Sequence, residues 1–284
     1  MFQHFSLTIT LLLVTAFASA ETFVFTAIPD EDETRLRARF QSVADYLAGE
    51  LDVEVRFVPV KSYAAAVSAF RNDQVQLAWF GGLSGVQARA RVPGSQALAQ
   101  GAEDAQFVTY FIAHGSTGLA ADSGLSEDLR GKTLLFGSKG STSGRLMPEY
   151  YLRKTFDAAP EEVFSRVGFS GNHSRTAALV ASGAYDVGAL NYTVWENEVE
   201  AGDIDADKVN IIYQTPPYPD YQWSARGDLD QRFGEGFTQR LQQALLNMDD
   251  PALLESFPRS GFIPASNEDY DVIRQVAEEI GLID

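Results

Sequence analysis

The chain is 284 residues long, 45% hydrophobic and 12% aromatic, with no cysteine and a formal net charge of −17. That composition belongs to a folded globular protein and excludes disulfides, thiolate metal sites, cysteine nucleophiles and a lipidated cysteine anchor. So acidic a surface also argues against nucleic acid or an anionic membrane as a partner.

Residues 7–17 form an uncharged apolar run, and Ala18-Ser19-Ala20 supplies the small residues of a cleavage site. Residues 1–20 therefore read as an export signal removed after Ala20, which places the mature chain in the periplasm. The run is too short for a membrane span, which needs about 20 apolar residues. It departs from the usual signal pattern in having His4 but no Lys or Arg ahead of it.

Beyond it, short apolar β-rich runs alternate with helical patterns, the signature of an α/β fold with largely parallel sheets. A strand is expected at 23–28, stopped by Pro29, and then a helix at 33–47. In that helix Leu36, Phe40, Val43 and Leu47 recur at three- and four-residue spacing. A strand at 54–58, a helix at 63–70, a strand at 75–80, a helix at 84–91 and a strand at 107–113 complete a first unit. From His114 the rhythm repeats: strand 133–136, helix 144–155, a strand around Val167, helix 175–182, strand 186–190 and a returning strand at 209–213. The remainder holds a strand at 221–225 and helices at 233–248 and 269–280. This pattern predicts two lobes, with residues 21–113 and 215–284 forming the first and residues 114–214 inserted as the second. Two crossings between lobes make a clamshell with a ligand cleft between them.

The sharpest local feature is Gly140-Ser141-Thr142-Ser143-Gly144, between a strand and a helix. A helix start leaves several N–H groups unpaired and carries partial positive charge, and three hydroxyls would add donors for an anion. The segment lacks the Lys and the spacing of a nucleotide-binding loop. Ordinary helix capping explains the same residues equally well, so both readings stand at this point.

Enzymatic alternatives are weak. Ser141 or Ser143 with His173 and Asp186 could be drawn as a triad, but no nucleophile elbow is present. There are no paired histidines for a metal, and the acidic run Asp30-Glu31-Asp32-Glu33 lacks a calcium-loop layout. That run reads instead as negative charge placed at a helix N-terminus.

Taken in order, a set of motifs resembles the periplasmic phosphonate/phosphite-binding proteins of ABC importers. They are Ser62-Tyr63-Ala64, Ala78-Trp79-Phe80-Gly81, Gly140 to Gly144 with Pro148 and Tyr150-Tyr151, Gly171-Asn172-His173, Asp186 with Asn191, and Thr215-Pro216-Pro217-Tyr218-Pro219-Asp220. The stretches Trp79-Phe80-Gly81-Gly82-Leu83 and Gln87-Ala88-Arg89 are similar to a subgroup named for selenate binding. The resemblance implies a type II periplasmic-binding-protein clamshell with no cofactor and no catalysis. It implies a small tetrahedral oxyanion held by Ser141, Thr142, Ser143, Tyr63, His173 and Asp220, with delivery to an inner-membrane permease. A shuttle of this kind is expected to be a monomer. Tyr63 would donate from the opposite lobe, and His173 would donate through a ring nitrogen and add positive charge if protonated.

Two positions depart from the family. The tyrosine expected at the third strand's end is Phe80, and the glutamate that holds a ligand's ammonium falls at Thr193, so aminoalkyl ligands are disfavoured. Glu196 has the wrong helical phase to replace it. Asp220 would be repelled by a doubly charged anion unless the ligand offers it a proton, which phosphite, phosphonate, phosphate or selenite can do near neutrality and selenate cannot. A turn cap is the other reading of Asp220. Tyr218, Tyr221 and Trp223 read as hinge and core packing more readily than as cleft lining. A selenate or selenite carrier, and a sensory protein that presents its ligand to a membrane receptor kinase, are the alternative functions.

Overall fold

The computed structural model describes residues 21–283, and the expected signal at 1–20 lies outside the described residues. The first lobe opens with β1 (Phe23–Ala27), α1 (Glu33–Leu51), β2 (Val55–Phe57), α2 (Tyr63–Arg71), β3 (Leu77–Phe80), α3 (Gly82–Arg89) and β4 (Gln96–Gly101). The second holds β5 (Thr109–His114), β6 (Thr133–Phe136), a π-helical turn at Thr142–Leu146 that runs into α4 (Met147–Phe156), and α5 (Pro160–Val163). It continues through β7 (Arg166–Phe169), α6 (His173–Ala181), β8 (Val187–Asn191), α7 (Tyr192–Glu200) and β9 (Val209–Gln214). The chain then returns to the first lobe as β10 (Gln222–Ala225), α8 (Leu229–Phe233), α9 (Phe237–Leu246), α10 (Pro251–Ser256), β11 (Phe262–Pro264) and α11 (Asp271–Glu279).

Two sheets result, with strand orders β11-β4-β10-β3-β1-β2 and β7-β6-β8-β5-β9. Both are mixed rather than largely parallel. The returning β10 lies antiparallel between β3 and β4, and β5 lies antiparallel between β8 and β9. Thr109–His114, assigned from sequence to the first lobe, thus belongs to the second sheet, and the lobe boundary moves ahead of Thr109. The strand at Gln96–Gly101 was not predicted, because Gln-Ala-Leu-Ala-Gln-Gly carries little β-propensity and its pairing with β10 and β11 decides it. The helix expected at 233–248 divides at Gly234 (φ 100°) and Gly236 (φ 76°), conformations that only glycine adopts at little cost.

Helix α1 is capped by Asp32, which accepts from the Thr34 and Arg35 N–H groups, and it buries Leu36, Phe40, Val43 and Leu47 as their spacing predicts. Phe40 stacks on Phe57 and meets Trp223 and Phe257 edge-on, in an aromatic core that also takes in Phe25 and Trp79. In the second lobe, separate clusters around Phe136 and around Trp195 cover the sheet.

The two crossings run side by side. Phe107 and Tyr218 exchange N–H···O bonds of 2.9 and 3.0 Å, and the Asp220 N–H donates to the Asp104 carbonyl at 3.0 Å. Asp104 is fully buried, accepts a forked pair from Arg259 at 2.7 and 2.8 Å, and accepts the Gly101 N–H at 3.1 Å. Arg259 lies over the Phe107 and Tyr221 rings, so one ion pair clamps both crossings beside the cleft. Removing one partner leaves a buried charge uncompensated, which costs about 3–5 kcal/mol, whereas an apolar replacement of both is close to neutral. Asp104→Ala should therefore lower the urea midpoint sharply, and adding Arg259→Met should restore most of the loss. A double variant less stable than the single would refute this account.

Candidate anion-binding site

The chain enters the cleft repeatedly at helix N-termini. Tyr63 is the first residue of α2, Gly82 of α3, Thr142 of the π turn, His173 of α6 and Tyr192 of α7. First-turn N–H groups have no partner within their own helix, so in a buried cleft they must be met from elsewhere. Across the lobes the Leu83 N–H donates to Thr142 Oγ1 at 3.0 Å, and the His173 N–H donates to the Asp30 carbonyl at 2.8 Å. The Gly82 N–H donates to Asp220 Oδ1 at 2.9 Å, and Asn191 Oδ1 caps α7 through the Thr193 and Val194 N–H groups.

Ser141 caps the turn. Its Oγ accepts the Gly144 N–H at 3.0 Å and lies 3.4 Å from His173 Nε2. His173 Nδ1 accepts the Asn191 N–H at 3.2 Å, so its proton sits on Nε2 and faces Ser141. With Gly144 N–H and His173 Nε2–H directed at its oxygen, the Ser141 O–H remains as a donor, and Tyr63 stands beside it. Burial pushes the His173 pKa down to about 3, so the ring is neutral and the positive charge it would add if protonated is absent. Gly144 is required by this packing, since a Cβ there would stand 2.9 Å from His173 Cε1 and 3.0 Å from Ser141 Oγ.

Ser143, Tyr63 and Asp220 are buried, and each presents a polar atom that, though other polar groups stand near it, makes no hydrogen bond of ordinary geometry: Ser143 Oγ, Tyr63 Oη and Asp220 Oδ2. Burial and the nearby Asp30 carboxylate hold Tyr63 well above the usual phenol range, so it is a donor at all physiological pH. Thr142 differs from expectation in that its oxygen is occupied by Leu83 across the cleft, which makes it a latch between lobes as much as a ligand donor.

Phe80 and Thr193 stand apart from the cradle. The Phe80 ring meets Phe70 edge-on at 5.6 Å and belongs to the first-lobe core. The Thr193 hydroxyl and N–H both go to Asn191 Oδ1 at 2.7 Å, and Glu196 is turned outward to accept from Tyr110 Oη at 2.8 Å. Neither Thr193 nor Glu196 therefore offers a counter-ion where the family resemblance put the ammonium-binding glutamate.

Sequence reasoning missed two participants. Tyr221, read as packing, accepts from Asn191 Nδ2 at 3.0 Å across the cleft, while Trp223 does lie in the aromatic core. Asp30 is buried with Oδ1 unpartnered, whereas its neighbour Asp32 is the helix cap the acidic run suggested. The available signal for Asp30 was its place just past the carboxyl end of β1, inside the parallel part of the sheet, where α/β folds gather ligand-facing residues.

Burial raises the Asp220 pKa to about 7, against the lowering effect of the Thr142 and Ser143 hydroxyls and the Gly82 N–H. A carboxyl raised on folding binds its proton more readily folded than unfolded, so stability present at acid pH is lost as pH rises from 3.8 through about 7. The full rise corresponds to roughly 4 kcal/mol. The melting temperature of ligand-free protein should fall by several degrees between about pH 5 and pH 8. In Asp220→Asn the Asp220 share of that fall should vanish. What remains belongs to Asp30, whose raised pKa acts in the same sense, and to His173, whose lowered pKa acts in the opposite one. An unchanged pH profile in the variant would contradict the assignment.

The profile of a family described as "ABC transporter, phosphonate, periplasmic substrate-binding protein" matches residues 25–270. The chain is 39% identical over 274 residues to the "Probable ABC transporter phosphite binding protein PhnD1" of Prochlorococcus marinus, covering 94% of this chain and 92% of that protein. It is 26% identical over 294 residues to the "Phosphate-import protein PhnD" of Mycolicibacterium smegmatis, covering 94% and 88%. The structure of Prochlorococcus marinus PhnD1 in complex with methylphosphonate superposes with a TM-score of 0.88, over 92% of this chain and 99% of that one.

Proposed function

This chain belongs to the periplasmic phosphonate-binding family of ABC-transporter substrate-binding proteins, and we propose that it captures a small phosphonate- or phosphite-type oxyanion and hands it to an inner-membrane permease. The observation that carries this reading is the mixture of unmet groups in one buried site. Tyr63 and Ser143 offer hydroxyls, Ser141 offers its O–H, and Asp220 offers a bare carboxylate oxygen. Donors alone would suit any dianion. Donors with one acceptor suit an anion that still carries a proton, as phosphite and methylphosphonate do near neutrality.

Size points the same way. Thr193 is committed to capping α7, so an aminoalkyl arm finds no counter-ion there. The methylphosphonate complex of the Prochlorococcus relative supports a small ligand without an amine. The proposed mechanism is capture on Ser141, Thr142 and Ser143, followed by closure that brings Tyr63 and the α3 N-terminus against the second lobe. No catalytic step is involved. A signal ending at Ala20, a periplasmic location and a monomeric state complete the reading.

Isothermal titration of the mature protein at neutral pH with phosphite, methylphosphonate, phosphate, selenite and selenate tests it. One of the protonatable anions should bind tightly and selenate weakly. Ser143→Ala should weaken the preferred ligand by about 10- to 100-fold, since a hydrogen bond to a charged group contributes about 1.5–3 kcal/mol. A preference for selenate would overturn the reading of Asp220 and favour the selenate alternative.

A further inference from the structure

The buried carboxyl of Asp30 is not used by the capture mechanism above. It follows β1 and Pro29, is 4% exposed, and its Oδ1 has no protein partner. Its own backbone carbonyl accepts the His173 N–H across the cleft, which ties Asp30 to the second lobe in this arrangement. The charged and titratable groups around it are all assigned. Glu31 is beside it and is itself paired with Arg39 of α1 at 2.5 Å. Tyr63 from α2 and Tyr221 from the crossing stand close enough to interact with it, and both remain protonated. His173 from α6 is neutral. Arg259 lines the same small cavity but is committed to Asp104. On that side the space, bounded also by Trp79, Asn191 and Thr193, measures about 10 Å³, the room of a single water, which leaves no place there for an aminoalkyl arm.

Asp30 and Asp220 both act on the Tyr63 hydroxyl. Asp30 Oδ1, Asp220 Oδ2 and Tyr63 Oη are all buried without a hydrogen-bond partner, so an anion seated against Tyr63 that reaches both acids must satisfy two carboxyl oxygens. Both can be satisfied only if two protons are shared among the ligand and the two acids, because a carboxylate facing an unprotonated oxygen is repelled and left unbonded. A phosphonate or phosphite monoanion brings one proton, and one carboxyl must hold the other. Selenate brings none.

We propose that Asp30 is a specificity-determining residue of this site, its carboxyl facing the bound anion alongside Asp220, so that the protein takes up a phosphorus oxyanion together with two protons and turns away tetrahedral anions that carry none. The inference rests on the phosphonate/phosphite reading above. Burial, with the Glu31 charge, raises the Asp30 pKa to about 6, which keeps a proton within reach near neutrality.

The test is calorimetry of the mature protein with methylphosphonate and with selenate, in two buffers of different ionisation heat, slightly above neutral pH. Wild type should take up protons on binding methylphosphonate. Asp30→Asn, whose amide can donate where the acid needed a proton, should reduce that uptake by close to one proton. It should also narrow the methylphosphonate-over-selenate preference by about tenfold or more. Equal weakening toward both anions with unchanged proton uptake would reduce Asp30 to a structural residue and overturn the inference while leaving the function intact. Wild type that binds no phosphorus oxyanion would remove the functional reading and this inference with it. If Asp30→Asn does not fold, the Asp220→Asn background decides. There the affinity for methylphosphonate must still weaken with rising pH more steeply than the ligand's own ionisation accounts for, and a slope no steeper overturns the proposal.

Discussion

A helix that starts inside a protein carries N–H groups that its own turns cannot pair, and the cleft of this molecule is organised around that constraint. Several helices begin there from both lobes. Their first N–H groups are met by Thr142 Oγ1, the Asp30 carbonyl, Asp220 Oδ1 and Asn191 Oδ1. Two of these bonds, from Leu83 and from His173, cross between lobes. Closure is thus the act of pairing helix starts, and the same starts lend the cleft its partial positive charge. Ser141, Ser143 and Tyr63 occupy these positions because a residue at a helix start stands beside unpaired donors.

This resolves the conflict between a net charge of −17 and an anionic ligand. Among the groups placed in the cradle, none is a positively charged side chain. The histidine is neutral through burial, and on the proposed reading hydroxyls and helix-start dipoles supply the attraction. Such donors are fixed before the ligand arrives and need no counter-ion, whereas a buried Arg or Lys in their place would carry a large desolvation cost. The acidic exterior is then free to serve solubility.

The acids inside the cleft are held by the frame as well as by the site. Asp220 sits on a crossing segment whose N–H is bound by Asp104, and Asp104 is clamped by Arg259. Asp30 leaves β1 at its carboxyl end and is bound through its carbonyl to α6 of the other lobe. Neither carboxyl can retreat to water when the lobes meet. A surface aspartate would respond to a mismatched anion by turning away, and here the mismatch is borne by the ligand.

Much of this was legible in the sequence. The periodicity of Leu36, Phe40, Val43 and Leu47, the strand–helix alternation and the Ser-Thr-Ser helix start depend on local pattern. Tyr63, His173 and Asp220 rest on the family resemblance, and the structure brings these last three to one cleft with Ser141, Thr142 and Ser143. What failed was non-local. β4 exists because β10 and β11 pair with it, and β5 joins the second sheet because β8 and β9 flank it. Phe80 went to the core because strand alternation directs it toward Phe70, and Thr142 became a latch because α3 begins opposite it. The sequence by itself determined most of the elements, the hydroxyl-bearing helix start at Ser141 to Ser143 and the identity of Thr193 where a glutamate was expected. Only the tertiary structure decided that burial holds His173 neutral, that Tyr221 and Asp30 lie buried beside the cleft, and that burial raises the Asp220 pKa to about 7. Burial sets those properties, and burial is a property of what the rest of the chain packs around a residue.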